Sequence, residues 1–231
     1  MVSRGIFLEL IAAIKRKKNP MTKNRKVTVN EVKRVYDGFF KIDEYSLRQE
    51  AEGRDFQFKR LNFERGHAAA VLLYDPERDA VLCVEEFRIG CFAAGMEGES
   101  SFSLGPIAGM IDEDEYPIDA AIREAREEAG VEISESDIIA EFTTLPSPGG
   151  SSETVTMILA TADLSGLGNG VFGMDDEAEQ TWRRILPREE VMQLVESQPM
   201  TGHLSALMMK LEILRLQDAV PSPSRTDTPL Y

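Results

Sequence analysis

The segment from Gly109 to Val131 constrains this chain more than any other, because it pairs the boundary signals of a short helix with a crowd of carboxylates. Pro117 suits a first helical turn, where its missing N–H costs nothing, and Gly130 suits the position just past the end. Between them Ile118, Ile122, Ala125 and Ala129 fall on one narrow stripe at about 100° per residue, which predicts a helix over 118–129 facing a core. Glu124, Glu127 and Glu128 stand at i, i+3 and i+4 on a different arc, so three acids are expected to share one patch. A solvated acidic face is the plain alternative. Against it, like charges at these spacings repel by a few tenths of a kcal/mol, and the helix dipole disfavours anions in the last turn. Hard oxygen donors without a nearby His or Cys are what Mg²⁺ or Mn²⁺ requires, and a divalent cation resolves the crowding.

The rest of the composition narrows the surroundings of that helix. The chain has 231 residues, 42 % of them hydrophobic, enough for a real core, and a formal net charge of -14. Such a charge argues against nucleic-acid or anionic-membrane binding, so any phosphate must be met by local arginines or bound cations. Cys83 and Cys91 have no zinc-binding spacing and read as reduced cytoplasmic thiols. The apolar stretch within residues 5–18 contains Glu9 and carries its basic cluster, Lys15 to Lys18, on the wrong side for a signal peptide. An additional helix ahead of a second start at Met21 is the simpler reading, and membrane contact by residues 5–18 is not expected.

Local patterning divides the chain into a 1–25 extension, an antiparallel sheet over 26–62, a main domain over 63–218 and a disordered Pro/Ser/Thr-rich tail over 219–231. In the main domain, 67–74 and 80–87 read as a hairpin across Asp75-Pro76. A loop over 94–101, a strand-turn over 104–111 and the acidic helix follow. Then come strands near 138–145 and 153–160, an acidic loop over 166–180, a strand near 182–186, and helices over 188–196 and 203–217. Mixed strands and helices without an internal repeat predict an α/β chain.

Written as a pattern, the central segment is G-x5-E-x7-R-E-U-x-E-E-x-G-U with U apolar, filled by Gly109, Glu115, Arg123, Glu124, Ala125, Glu127, Glu128, Gly130 and Val131. It resembles the signature of the Nudix hydrolases without a mismatch. Further stretches, including Phe63 to Ala70, Glu85 to Ile89, Ser147 to Glu153 and Gly173 to Glu179, resemble the ADP-ribose pyrophosphatases within that family. The resemblance implies an α/β/α sandwich with a mixed sheet, a small N-terminal antiparallel sheet used in a homodimer, and Mg²⁺-dependent cleavage, with Mn²⁺ able to substitute. The substrate it implies is a nucleoside diphosphate sugar. ADP-ribose would give AMP and ribose 5-phosphate.

Carried over residue by residue, the resemblance implies Glu124, Glu128, Glu179 and the Ala108 carbonyl as metal ligands, and Glu177, Glu127 and Arg123 as catalytic, with Glu177 the base. Glu115 and Arg123 would brace the loop. Arg60, Arg65 and Arg88 would meet the phosphates, Phe39 or Phe40 the adenine, and Glu153 the terminal ribose, with Met110 and Ser147 also against substrate. His67 and His203 read as structural. The chain departs from the subfamily at Gly105, where a Glu is common, and this bears on substrate positioning. Two other readings stay open: hydrolysis of another sugar nucleotide such as GDP-mannose or ADP-glucose, and a non-catalytic nucleotide sensor.

Overall fold

Alternating side chains from Arg25 onward do build strands in the computed structural model, which describes residues 25–172 and 180–220. The expected extension and tail lie outside the described residues apart from their inner ends. Two compact units emerge. One contains 25–67 with the segments 111–115 and 145–154, and the other contains the remainder.

The first unit is a meander of β1 (Arg25–Asp37), β2 (Lys41–Ala51) and β3 (Arg54–Glu64), all antiparallel. The turn between β2 and β3 uses Glu52 and Gly53 in the left-handed region, at φ of 53° and 77°, as a two-residue hairpin with right-handed strand twist demands. β1 is far longer than Lys26 to Val29 suggested, and every one of its residues is exposed. Loop 147–153 is zipped onto the end of β3. The Phe63 N–H donates to the Gly150 carbonyl at 2.7 Å, the Ser151 hydroxyl donates to the Phe63 carbonyl, and Asn62 donates to the Ser152 hydroxyl.

The second unit holds β4 (Ala68–Asp75), β5 (Ala80–Phe87), β6 (Phe102–Gly105), β7 (Ile107–Met110), β8 (Ile138–Thr144), β9 (Val155–Thr161), β10 (Gly170–Phe172) and β11 (Thr181–Pro187). Its sheet runs β10-β11-β5-β4-β9-β8, with β4 and β9 parallel. The expected β4–β5 hairpin is only partial. The strands pair at Leu73 to Asp75 with Ala80 to Leu82 and then diverge, β7 taking up Ala68 to Val71 and β6 taking up Val84 to Phe87. That split delivers the Ala108-Gly109-Met110 backbone to the middle of the sheet.

The helices are α1 (Ile89–Ala93), α2 (Pro117–Ala129), α3 (Arg188–Ser197) and α4 (Gly202–Leu216). One face of β4, β5 and β9, through Leu72, Tyr74, Val81, Cys83, Met157 and Leu159, packs with Val191 of α3 and Leu204, Leu207, Met208 and Leu211 of α4. Side chains alternate along a strand, so Ala69, Val71 and Leu73 point the other way; they too are fully buried, and α2 packs on this sheet. β4 is thus covered on both faces, which explains its near-continuous apolar sequence. The expected α/β fold with a mixed sheet and a separate three-stranded sheet is what the chain forms.

Candidate active site

α2 begins at Pro117 and stops at Gly130, whose φ of 64° is left-handed, as the boundary residues predicted. The buried face corrects the sequence reading. Ala120, Ala121, Ala125, Ala129 and also Glu128 are buried, whereas Ile118 and Ile122 are half-buried. On a helical wheel Glu128 falls about 20° from Ala121, on the side of Ala120, so it belongs to the core face and not to a separate acidic arc. Alanines let the helix approach the sheet closely, and the one long side chain among them is a carboxylate.

Glu128 is 6 % exposed and accepts the Ala108 N–H at 3.1 Å. Burial pushes its carboxyl up to about 8, the charges of Glu86 and Glu124 add to the rise, and the Ala108 N–H and Arg88 oppose it. Arg123 fans out over its neighbours. Nη1 donates to Glu124 at 2.7 Å and to Glu127 at 3.1 Å, and Nη2 donates to the Met110 carbonyl at 3.0 Å. One guanidinium therefore ties the helix to the 108–110 backbone. Gly109 is needed for this approach, since a Cβ there would lie 1.7 Å from Glu124 Oε1. Glu115 holds its own turn instead, accepting the Asp112 N–H at 3.0 Å.

The carboxylates are thus each taken up by a protein donor, and among the described residues no three acidic, His or Cys side chains close into a ready cage. The residues nevertheless fit a hard divalent cation. Their donors are carboxylate oxygens and backbone carbonyls, the set such ions prefer. The Gly109 cradle keeps the Glu124 carboxylate against the 108–110 backbone, and a dication beside Glu128 reverses the repulsion that now raises its pKa. Glu177 and Glu179, the expected base and additional ligand, lie outside the described residues.

Arg88, following β5, is paired with Glu86, and Met110 is partly exposed on β7. Sequence reasoning quoted Glu86 only within the stretch Glu85 to Ile89 and gave it no role, because acids in a strand carry no periodic signal of a site.

In the first unit, Arg65 Nη1 lies 3.3 Å from Glu153 Oε1 and its guanidinium stacks 5.5 Å from the Phe40 ring. Phe40 packs edge-on to Phe63 at 5.0 Å and to Phe39 at 4.7 Å, and Phe39 is 84 % exposed. An aromatic this bare is available for stacking, whereas Phe40 is half-buried among its neighbours. Arg60 lies over Phe58 and donates to the Lys59 carbonyl, and Ser147 is exposed at the loop tip. His67 accepts the Thr154 N–H on Nδ1 at 3.2 Å and burial lowers its pKa, in keeping with a structural role.

Comparison with known proteins supplies an independent line. The NUDIX domain family matches residues 64–206. The ADP-ribose pyrophosphatase of Escherichia coli K12 is 34 % identical over 178 residues, spanning 76 % of this chain and 82 % of that protein. The ADP-ribose pyrophosphatase of Haemophilus influenzae is 32 % identical over 161 residues, 69 % of this chain and 73 % of its own length. A GDP-mannose pyrophosphatase from Escherichia coli O1:K1 is 26 % identical over 197 residues, covering 84 % of this chain and 99 % of the relative. A crystal structure of an ADP compounds hydrolase superposes with a TM-score of 0.59 over 87 % of this chain and all of that one; at 23 % identity this is a likeness of fold.

Proposed function

The chain belongs to the Nudix family, whose members generally use divalent metal ions, and on that premise we propose that it hydrolyses the diphosphate of ADP-ribose with Mg²⁺ to give AMP and ribose 5-phosphate. The observation that carries this reading is the Arg123 fan, which holds Glu124, Glu127 and the Met110 carbonyl in one cluster while Glu128 is buried against Ala108.

Glu124, Glu128 and the Ala108 carbonyl hold the cation, with Glu179 as a further ligand. When bound, the cation neutralises the diphosphate oxygens and lowers the pKa of the attacking water. The residues of the chain do the remainder. Arg123 fixes the 108–110 backbone so that the ligands stay in register, and Glu127 is positioned through it. Glu177 takes the proton as water attacks one phosphorus and the bridging P–O bond breaks. Arg60, Arg65 and Arg88 orient the diphosphate, and guanidinium forks suit its oxygens. Phe39 stacks on the adenine, with Phe40 behind it; Glu153 contacts the terminal ribose; Met110 and Ser147 complete the substrate contacts.

The preference for ADP-ribose over another sugar nucleotide is supported by the greater identity to the ADP-ribose pyrophosphatases than to the GDP-mannose enzyme. A homodimer assembled through the first unit is supported by β1, where Val27, Val29, Val32 and Val35 are all about half exposed. Among the described residues no helix is long and apolar enough to cross a membrane, and the free thiols Cys83 and Cys91 suit a cytoplasmic enzyme. Glu128→Gln tests the metal assignment: turnover should fall by orders of magnitude with the circular dichroism spectrum unchanged. Retained turnover would remove Glu128 from the site.

A further inference from the structure

Glu86 lies outside the signature segment, yet the fold brings it to the same cluster. It sits on β5, in register with Thr181 of β11 on one side and Ser103 of β6 on the other. Directly paired residues carry their side chains on one face of a sheet, so Glu86 is flanked by two hydroxyls. Its carboxylate is largely buried and paired with Arg88. Alternation along β5 puts Val81 and Cys83 on the face covered by α3 and α4 and Glu86 on the other, the face of the sheet on which α2 packs, and its charge acts on Glu128 there.

Among the described residues two polar atoms in this neighbourhood are buried without a hydrogen-bond partner, Thr181 Oγ1 and Arg88 Nε, and Thr181 has no exposed surface at all. Buried hydroxyls in native proteins are nearly always satisfied, so the orphan beside Glu86 points to a ligand or an ordered water. Gly105 of β6 bears on the same place. A Cβ built there would sit 3.6 Å from both Arg88 Nη2 and Thr201 Oγ1, in ordinary contact and next to a cation.

We propose that Glu86 is a further carboxylate of the cation site, acting from the strand side opposite α2, with Arg88 holding it in place and Thr181 Oγ1 accepting from the cation's water shell. This rests on the reading of Glu124 and Glu128 as metal ligands. Mg²⁺ keeps several of its waters, and a strand carboxylate beside an unsatisfied hydroxyl is a suitable partner set for them. Glu86 thereby sets metal affinity.

The test is a calorimetric titration of Mn²⁺ alone, without substrate, into the wild type, Glu86→Gln, Glu128→Gln and the double variant Glu86→Gln with Gly105→Glu. Glu86→Gln should weaken Mn²⁺ binding about tenfold or more. The double variant should recover most of the loss, because position 105 offers a carboxylate from the neighbouring strand within reach of Arg88. Wild-type affinity in Glu86→Gln, with binding lost in Glu128→Gln, would overturn the role of Glu86 and leave the site standing. Wild-type affinity in both would overturn the metal site itself.

Discussion

Replacing Gly109 with alanine isolates what the helix and the 108–110 backbone do together. The new Cβ would meet Glu124 Oε1 at 1.7 Å and Cδ at 2.1 Å, and real Cβ contacts essentially never fall below 3.0 Å. The carboxylate must therefore retreat by about 1.3 Å, and its 2.7 Å bond with Arg123 is lost. The backbone itself is not strained by the change, since Gly109 is not among the glycines with positive φ. One hydrogen bond to a charged, partly exposed group contributes about 1 kcal/mol, which in a chain of this size moves Tm by about 2–4 °C. Activity is far more sensitive, because a displacement of about 1 Å in a reacting constellation costs about a hundredfold. Steady-state AMP release from ADP-ribose at saturating Mg²⁺, measured beside thermal unfolding, separates the two effects. Gly202→Ala is the control: nothing lies within 4 Å of its Cβ, so activity should be unchanged and stability slightly raised. A Gly109→Ala enzyme within twofold of the wild-type rate would refute the argument. So would a fall in Tm beyond about 10 °C, which would make the glycine a folding residue.

Asp79 offers a stability test away from the site. It accepts from Arg188 at 2.7 Å, from Tyr74 and from Arg215, while Arg188 also reaches Glu212. Burial alone would raise its carboxyl, but the bonds from Arg188 and Tyr74 outweigh burial and hold it below the usual range. Its contribution is therefore present above the unfolded value near 4 and lost as pH falls through the lower folded value. Asp79→Asn should cost about 3 kcal/mol in urea unfolding at pH 7 by leaving Arg215 without its carboxylate and Arg188 with Glu212 alone; a loss below about 0.5 kcal/mol would contradict the network. For His67, burial lowers the folded pKa below 6.5, so the unfolded chain binds the proton first and stability should fall as pH drops from about 7 to 5. His67→Gln should lose that part of the pH dependence, seen as a flatter unfolding midpoint against pH. Val29→Glu with Val32→Glu should convert the proposed homodimer to monomer by light scattering, and an unchanged mass would exclude β1 as its interface.

The parts of the fold legible in advance were those written locally. Pro117 and Gly130 bound α2 because helix ends are set by single residues, and β9 and α4 follow from contiguous apolar patterns. Non-local pairing was not legible. The divergence of β4 from β5 depends on β6 and β7 arriving between them, and the Arg65–Glu153 pair joins residues 88 apart in the chain, neither of which leaves a local trace. The burial of Glu128 was hidden by a stripe drawn through isoleucines, when the tight face is made of alanines. α1, five residues without a side-chain cap, has no periodicity to detect.

The most direct measurement is release of AMP from ADP-ribose by the purified protein with and without Mg²⁺, run beside GDP-mannose and ADP-glucose. Metal-dependent turnover with ADP-ribose preferred, abolished by chelation, is the expected result. ADP-ribose that binds without being cleaved in either Mg²⁺ or Mn²⁺ would contradict it and make the chain a nucleotide-binding protein on a hydrolase fold.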